Sequence, residues 1–175
     1  MLPLVALTGL ITLDYTSMPG GGSLELLVLG LALAMSTVIV FLARFAVALV
    51  RSDGRPGLRA HWIRWVAAPV MGVTVIGLVY ADVPFTARFA LSQPSLESFA
   101  RQVAGGDAEH DDQWVGLFPV ESVQRVDGGA RFLVRGTGFL DRYGFAWIPD
   151  GVPEEEHHMD YTPVEGPWYV WEMRW

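Results

Sequence analysis

The central feature of the sequence is LLVLGLALAMSTVIVFLA, Leu26 to Ala43, a run of eighteen residues without a charged side chain. A second uncharged run, WVAAPVMGVTVIGLVYA, covers the seventeen residues from Trp65 to Ala81. A helix rises about 1.5 Å per residue and needs roughly 20 residues to cross a hydrocarbon core of about 30 Å. With their flanking residues both runs reach that length, so we predict two membrane spans. The alternative is two buried helices of a soluble protein.

The segment between the two runs, residues 44–64, is rich in arginine. It carries five arginines against one acidic residue, Asp53. These arginines are Arg44, Arg51, Arg55, Arg59 and Arg64. Short loops rich in basic residues remain in the cytoplasm, and SDGRPG is typical of a turn. We therefore predict a transmembrane helical hairpin over residues 24–81, with a cytoplasmic loop and with both chain termini extracytoplasmic.

Small residues recur at helical spacing inside both predicted spans. Gly30 is followed by Ala34, and Ala68 is followed by Gly72. Such pairs let membrane helices approach closely, although Gly and Ala are also common in any membrane helix. Neither run contains an ionisable residue, which proton relays and ion pathways require. A transport subunit would therefore need several chains to form its pore.

The first 23 residues form a separate apolar segment followed by a glycine-rich linker. Thirteen helical residues, Met1 to Leu13, extend only about 20 Å, and the basic start of a secretory signal is missing. We expect this segment to lie in the outer leaflet or to pack on the hairpin. A third span is the alternative. The following DYTSMPGGGS is expected to be a flexible break.

The two halves of the chain differ in charge. Residues 1–81 hold five arginines and three acidic residues, a net charge of +2, whereas residues 82–175 hold seven arginines and sixteen acidic residues, a net charge of −9. The acidic half repels phosphate, which disfavours nucleic-acid binding. Cysteine is absent, which excludes disulfides and thiolate metal sites.

Residues 82–175 are predicted to form a small extracytoplasmic α+β domain with an antiparallel sheet. Leu96, Phe99, Ala100 and Val103 have the spacing of an amphipathic helix, which Ser92 is expected to cap. About five strands follow, including a hairpin that turns at Asp127-Gly128-Gly129. The last strand alternates, and we expect the face of Trp171 to be the core of the sheet while Trp168 covers a helix.

Two segments carry a resemblance to known proteins. GTGFLDRYGFAWIPDG and GPWYVWEMRW, on a hairpin with an arginine-rich loop, resemble small actinobacterial two-span membrane proteins of uncharacterised activity. The resemblance covers most of residues 24–175. It implies a topology and no catalytic residues.

Acidic residues and histidines cluster twice in the second half. The stretch GDAEHDD contains His110, and its spacing fails as an EF-hand loop, because the sixth and twelfth positions are Asp112 and Phe118. In the stretch PEEEHHMD the candidate ligands for a divalent metal are Glu154, His157, His158 and Asp160, to which His110 could be added. We expect residues 149–163 to form a long solvated loop, and a metal site on these side chains is the alternative. We predict no bound cofactor other than this candidate metal.

Catalytic motifs are absent, since the sequence contains no G-x-S-x-G, P-loop or H-E-x-x-H motif. We therefore predict a membrane-anchored, non-catalytic protein whose extracytoplasmic domain contacts another membrane or envelope protein, or itself, as an accessory subunit. A metal sensor or metal-dependent hydrolase built on residues 154–160 is the first alternative. An oligomeric transport subunit is the second.

Overall fold

The computed structural model describes residues 2–50, 62–106, 112–138, 141–153 and 158–174. These residues form four helices and a six-stranded sheet. The helices are α1 (Leu2–Thr16), α2 (Leu24–Val50), α3 (Trp62–Tyr80) and α4 (Val83–Gly105). The strands are β1 (Gln113–Val115), β2 (Phe118–Val126), β3 (Gly129–Val134), β4 (Arg142–Trp147), β5 (Met159–Glu165) and β6 (Trp168–Met173). The sheet has the order β1-β2-β3-β4-β6-β5, and each neighbouring pair is antiparallel.

The chain divides into two compact units that alternate along the sequence. The helical unit comprises Met1–Tyr15 and Glu25–Val83, and the sheet domain comprises Thr16–Leu24 and Pro84–Trp175. The sequence instead predicted one segment over residues 1–23, followed by a hairpin over 24–81. Most of the linker expected to be flexible, residues 14–23, lies in the sheet domain as part of Thr16–Leu24, and we call Thr16–Leu24 the strap.

Helix α2 exposes hydrophobic side chains along its length. None of its residues is buried, and Leu31 and Ile39 are 58% and 60% exposed. By length and composition, α2 qualifies as a membrane span among the described residues, and a second span exists if α3 and α4 are counted together as one broken helix. A hairpin of two separate spans therefore remains a prediction.

Helix α1 packs against α2 and α3 in the helical unit. The hydroxyls of Thr8 and Thr37 on α2 lie 3.2 Å apart. Gly9 approaches α3 so closely that a Cβ atom there would lie 3.1 Å from Val75 Cγ2. Elsewhere in this unit the ring of Trp65 on α3 packs edge-on against the ring of Phe45 on α2, with centroids 5.7 Å apart. Residues 2–16 are therefore helical and contact both longer helices.

The sheet domain has its main core between α4 and one face of the sheet. Apolar residues of α4 contribute at helical spacing, and Phe118, Phe132, Phe145 and Trp168 contribute from the strands. Phe89 of α4 lies edge-on to Trp168, with ring centroids 5.9 Å apart. Full burial of one Phe side chain contributes about 1.5–3 kcal/mol to folding, so these rings contribute substantially to the stability of the domain.

The helix of the domain begins earlier than its stripe of apolar residues indicated. Because α4 starts at Val83, Ser92 lies inside the helix and is not its cap. The Ser92 hydroxyl is buried, donates to the carbonyl of Arg88 at 2.8 Å and accepts from the amide of Leu117 at 3.0 Å. It therefore ties α4 to the turn between β1 and β2.

Two strand predictions need correction. The chain has six strands among its described residues, because β5 begins at Met159 inside the segment predicted to be a loop. The alternation of β6 and the contact of Trp168 with a helix are confirmed, but the main core lies on the Trp168 face of the sheet and not on the Trp171 face. Trp168 belongs to the main core, whereas Trp171 belongs to a smaller cluster on the opposite face. The β2–β3 hairpin is confirmed, with Val126 paired to Gly129.

Candidate functional site

The face of the sheet opposite α4 is the candidate functional surface, and we call it the open face. Its apolar cluster contains no helical residue among those described. The open face comprises Ser122, Gln124, Arg131, Leu133, Arg142, Ala146, Ile148, Met159, Tyr161, Tyr169, Trp171 and Met173. Successive residues of a strand point to opposite faces, so these side chains alternate with the residues of the main core.

Trp171 lies flat on the open face because its cross-strand neighbour, Gly144, has no side chain. A Cβ atom at Gly144 would lie 2.7 Å from Trp171 Cζ2. In this position the indole Nε1 donates to the carbonyls of Phe132 and Phe145, at 3.1 and 3.2 Å. Trp171 is consequently only 4% exposed although no described helix covers it.

Arg131 lies over the indole and joins three strands. Its guanidinium carbon is 5.7 Å from the centroid of the Trp171 ring, a distance typical of a cation–π contact. The guanidinium donates to Gln124 Oε1 on β2 at 2.7 Å. It also donates to Tyr161 Oη and Met159 Sδ on β5, at 3.1 and 2.8 Å. These contacts fix a positive charge in the middle of the open face.

A small cavity of about 140 Å³ adjoins Arg131 and Trp171. Arg142 and Ser122 line it together with Met159 and Met173, so it combines guanidinium and hydroxyl donors with sulfur and aromatic surface. Pockets that enclose drug-sized ligands measure about 300–1,000 Å³. The smaller volume fits one side chain or a small anion.

The lining of this cavity supplies groups for binding. Among the described residues that line it there is no histidine, aspartate or glutamate. A serine needs an adjacent base to act as a nucleophile, and the lining provides none for Ser122. Two arginines in one small cavity instead favour a carboxylate, which guanidinium groups bind through paired hydrogen bonds.

Asp160, one of the predicted metal ligands, takes part in an ion pair. Arg174 lies 3.2 Å from the carboxylate of Asp160 and 3.1 Å from that of Glu172. His158 is exposed, with a φ of 76°, and its carbonyl accepts from the amide of Arg174. The other predicted ligands, Glu154, His157 and His110, lie outside the described residues. Within the described ranges no three His, Asp or Glu residues converge on a metal position.

Tyr143 lies beside the same ion pair. It is paired across the sheet with Glu172, which in turn is paired with Asp160. Burial raises the pKa of Tyr143 above its ordinary value of 10.0, and the hydrogen bond to Glu172 and the charge of Glu172 raise it further. The pKa of the Arg174 guanidinium is also raised, chiefly by its hydrogen bond to Glu172.

Three of the four small residues predicted to mark helix contacts line an apolar groove in the helical unit. Ala34, Ala68 and Gly72 line the groove. A Cβ atom at Gly30 would lie 3.5 Å from Ile11 of α1, whereas one at Gly72 would meet nothing within 4 Å.

The arginines predicted to set the topology are only partly described. Arg44 is exposed near the end of α2, and Arg64 lies in the first turn of α3. The remaining three, Arg51, Arg55 and Arg59, lie outside the described residues.

The sequence did not single out Arg131, Arg142 or Met159 as site residues. A signal for the first was present, since Arg131 and Leu133 alternate with the apolar residues Ala130, Phe132 and Val134. Met159 was missed because its strand was predicted to be a loop.

Comparison of the chain with protein-family models, with curated proteins and with solved structures found no match.

Proposed function

We propose that this protein is a membrane-anchored, non-catalytic adaptor whose extracytoplasmic sheet domain binds an acidic segment of another membrane or envelope protein. The exposure of α2 carries this proposal. A soluble protein buries the apolar face of its helices, but all 27 residues of α2 lie outside any core. Lipid supplies the missing apolar environment, which supports α2 as a membrane span.

The strap supports a hairpin of two spans. It belongs to the same compact unit as residues 84–175, although the helical unit separates the two in sequence. Gly21 accepts from the amide of Gly138 at 3.1 Å, and Ser17 accepts from Arg88 at 2.7 Å. A chain with both segments on one side of a bilayer crosses it an even number of times between them. Helices α2 and α3 are the two crossings in this proposal.

The strap also supports retention of the first helices. A signal sequence is removed by cleavage after its apolar helix. Cleavage after α2 would remove the strap, which includes the buried residues Ser17 and Pro19. The folded domain therefore uses residues that precede the apolar helix.

Two further observations support the orientation and the partner. The arginine-rich loop favours the cytoplasmic side for residues 44–64, which leaves the sheet domain outside. Protein interfaces are enriched in Trp, Tyr, Met and Arg, and these residue types make up most of the open face. The cavity beside Arg142 has the size and charge to receive a carboxylate side chain.

Single cysteines in this cysteine-free chain test the topology. We expect a membrane-impermeant maleimide, added to intact cells, to label Glu25→Cys and Asp150→Cys, and to label Gly54→Cys only after permeabilisation. Glu25 and Asp150 are exposed, and Gly54 lies outside the described residues. Opposite labelling of Glu25→Cys and Asp150→Cys would contradict the hairpin, whereas labelling of Gly54→Cys alone would invert the orientation.

Site-specific crosslinking tests the open face. We expect a photoreactive residue at Leu133 to give a discrete adduct in cells, and Arg142→Glu to abolish that adduct because it reverses the charge beside the cavity. Arg125 is the matched control, since its cross-strand partner Ala130 belongs to the main core, so Arg125 lies on the other face. An adduct that survives Arg142→Glu and is lost with Arg125→Glu would contradict this assignment.

A further inference from the structure

We propose that the groove between α1, α2 and α3 is a binding site for the acyl chain of a membrane lipid. The inference rests on the proposed membrane position of α2. The groove has a volume of about 390 Å³ and is lined by Thr8 and Gly9 of α1, Ala34 and Thr37 of α2, and Ala68 and Gly72 of α3, among others.

The hydroxyl groups of the groove are hydrogen-bonded within and between the helices. Thr8 donates to the carbonyl of Leu4 at 2.8 Å and lies 3.2 Å from the hydroxyl of Thr37. Thr12 donates to the carbonyl of Thr8 at 2.9 Å. An occupant therefore has no polar group of the groove to satisfy.

Water is a poor occupant of such a space. A water molecule needs two to four polar partners, and apolar cavities of about 150 Å³ remain dry. An empty space would forfeit the contacts of its lining in proportion to its volume. The chemistry of the walls therefore calls for an apolar molecule.

Size and position identify that molecule as a lipid chain. A helix of a second copy is about 10–12 Å wide with its side chains. The volume of the groove lies near the lower end of the roughly 300–1,000 Å³ of small-molecule pockets, so the groove is too small to hold such a helix. The rim of the groove includes Val38, Leu42 and Ile76, which are exposed. The rim is thus continuous with the apolar surface of α2 that the proposed function places in lipid.

The small residues give the groove its volume. A side chain added at Gly72 would enter open space, because an added Cβ atom there meets nothing within 4 Å. Gly77 of the same helix has equally open surroundings, but it is not part of the groove lining. The two positions therefore form a matched pair, one filling the groove and one leaving it open.

Photolabelling of the full chain tests the inference. The protein is reconstituted in phosphatidylcholine nanodiscs that contain a phosphatidylcholine with a diazirine in its acyl chain, and labelled residues are mapped by mass spectrometry. We expect label on Thr37 and Ala68 in the groove and on Met35 outside it. Gly72→Leu should lower groove labelling about tenfold, whereas Gly77→Leu should leave it unchanged. Ala34→Leu fills the groove from α2 and provides a second variant if Gly72→Leu misfolds.

The outcomes separate this inference from the proposed function. Label on Met35 with none in the groove, or groove labelling that neither filling variant lowers, overturns the lipid site alone. A complete absence of label from α2 overturns both the lipid site and the membrane position.

Discussion

Gly144 and Trp171 form the pair of residues on which the open face depends. Without a side chain at 144, the indole lies flat and its Nε1 reaches two backbone carbonyls. Arg131 then has an aromatic surface on which to stack. One missing Cβ atom thus positions both the aromatic ring and the positive charge.

Gly144→Ala tests this arrangement. The added methyl group would overlap the carbonyl of Phe132 and the Trp171 ring, so we expect a loss of about 3 kcal/mol in the free energy of unfolding. Gly151→Ala adds the same group where nothing lies within 4 Å and should change stability by less than about 0.5 kcal/mol. Denaturant unfolding followed by tryptophan fluorescence measures both variants. Equal stability of the two would contradict the packing of Trp171.

Tyr143 gives a prediction in pH. Because its folded-state pKa is raised above 10.0, its contribution to stability is fully present below pH 10.0 and is lost as the pH rises through the raised pKa. Glu172→Gln removes one cause of the shift and leaves burial, the largest cause, in place. We expect the ionisation of Tyr143 to move to lower pH in this variant and to remain above 10.0. Tyrosinate absorbance, compared with Tyr143→Phe, measures it; an unmoved transition would contradict the contact with Glu172.

At the scale of elements, Arg88 joins the strap to the rest of the sheet domain. From α4 it donates to the Ser17 hydroxyl at 2.7 Å and twice to the carbonyl of Leu117, at 3.1 and 2.7 Å. Its guanidinium also lies 5.2 Å from the ring centroid of Phe118. The strap, α4 and the β1–β2 turn therefore share one side chain.

Arg88→Met is expected to destabilise the sheet domain by about 3 kcal/mol, since hydrogen bonds to charged groups contribute about 1.5–3 kcal/mol each. It should also make the strap sensitive to protease. Arg101→Met is the control because Arg101, with its side chain 68% exposed, pairs with Glu97 one turn away, a contact of about 0.5 kcal/mol. Limited proteolysis and denaturant unfolding compare the two. A strap equally protected in both variants would contradict the role of Arg88.

Strand β5 is the element that the sequence patterns did not predict. Acidic residues, adjacent histidines and Pro163 are typical of a loop, yet residues 159–165 form an edge strand in which Tyr161 pairs with Trp171. Proline is tolerated on an edge strand because the N–H group that it lacks would face solvent and not a neighbouring strand. The alternation that marks a strand was hidden, because β5 is exposed except at Met159, Tyr161 and Val164.

At the scale of the whole molecule, the sheet domain is assembled from two separated parts of the chain. A chain that begins at residue 84 lacks the strap and should unfold more easily than the same domain in the full chain. The loss in unfolding free energy caused by Arg88→Met should also be about 1–2 kcal/mol smaller in the short chain, because that chain has no Ser17 hydroxyl for Arg88 to bind. Denaturant unfolding of the four proteins measures this coupling. An unchanged cost of Arg88→Met would contradict the contribution of the strap.

The α+β class, the amphipathic character of α4, the β2–β3 hairpin and the apolar character of α2 follow from local patterns. Composition, spacing and turn residues act over a few positions, so the sequence by itself determined these features. Contacts between distant residues decided the rest. The strap joins the domain through Arg88, 71 residues from Ser17. The open face exists because Trp171 meets the backbone of Phe132, 39 residues earlier. No local periodicity encodes such pairs, since they depend on which surfaces remain to be covered once helices and strands have packed.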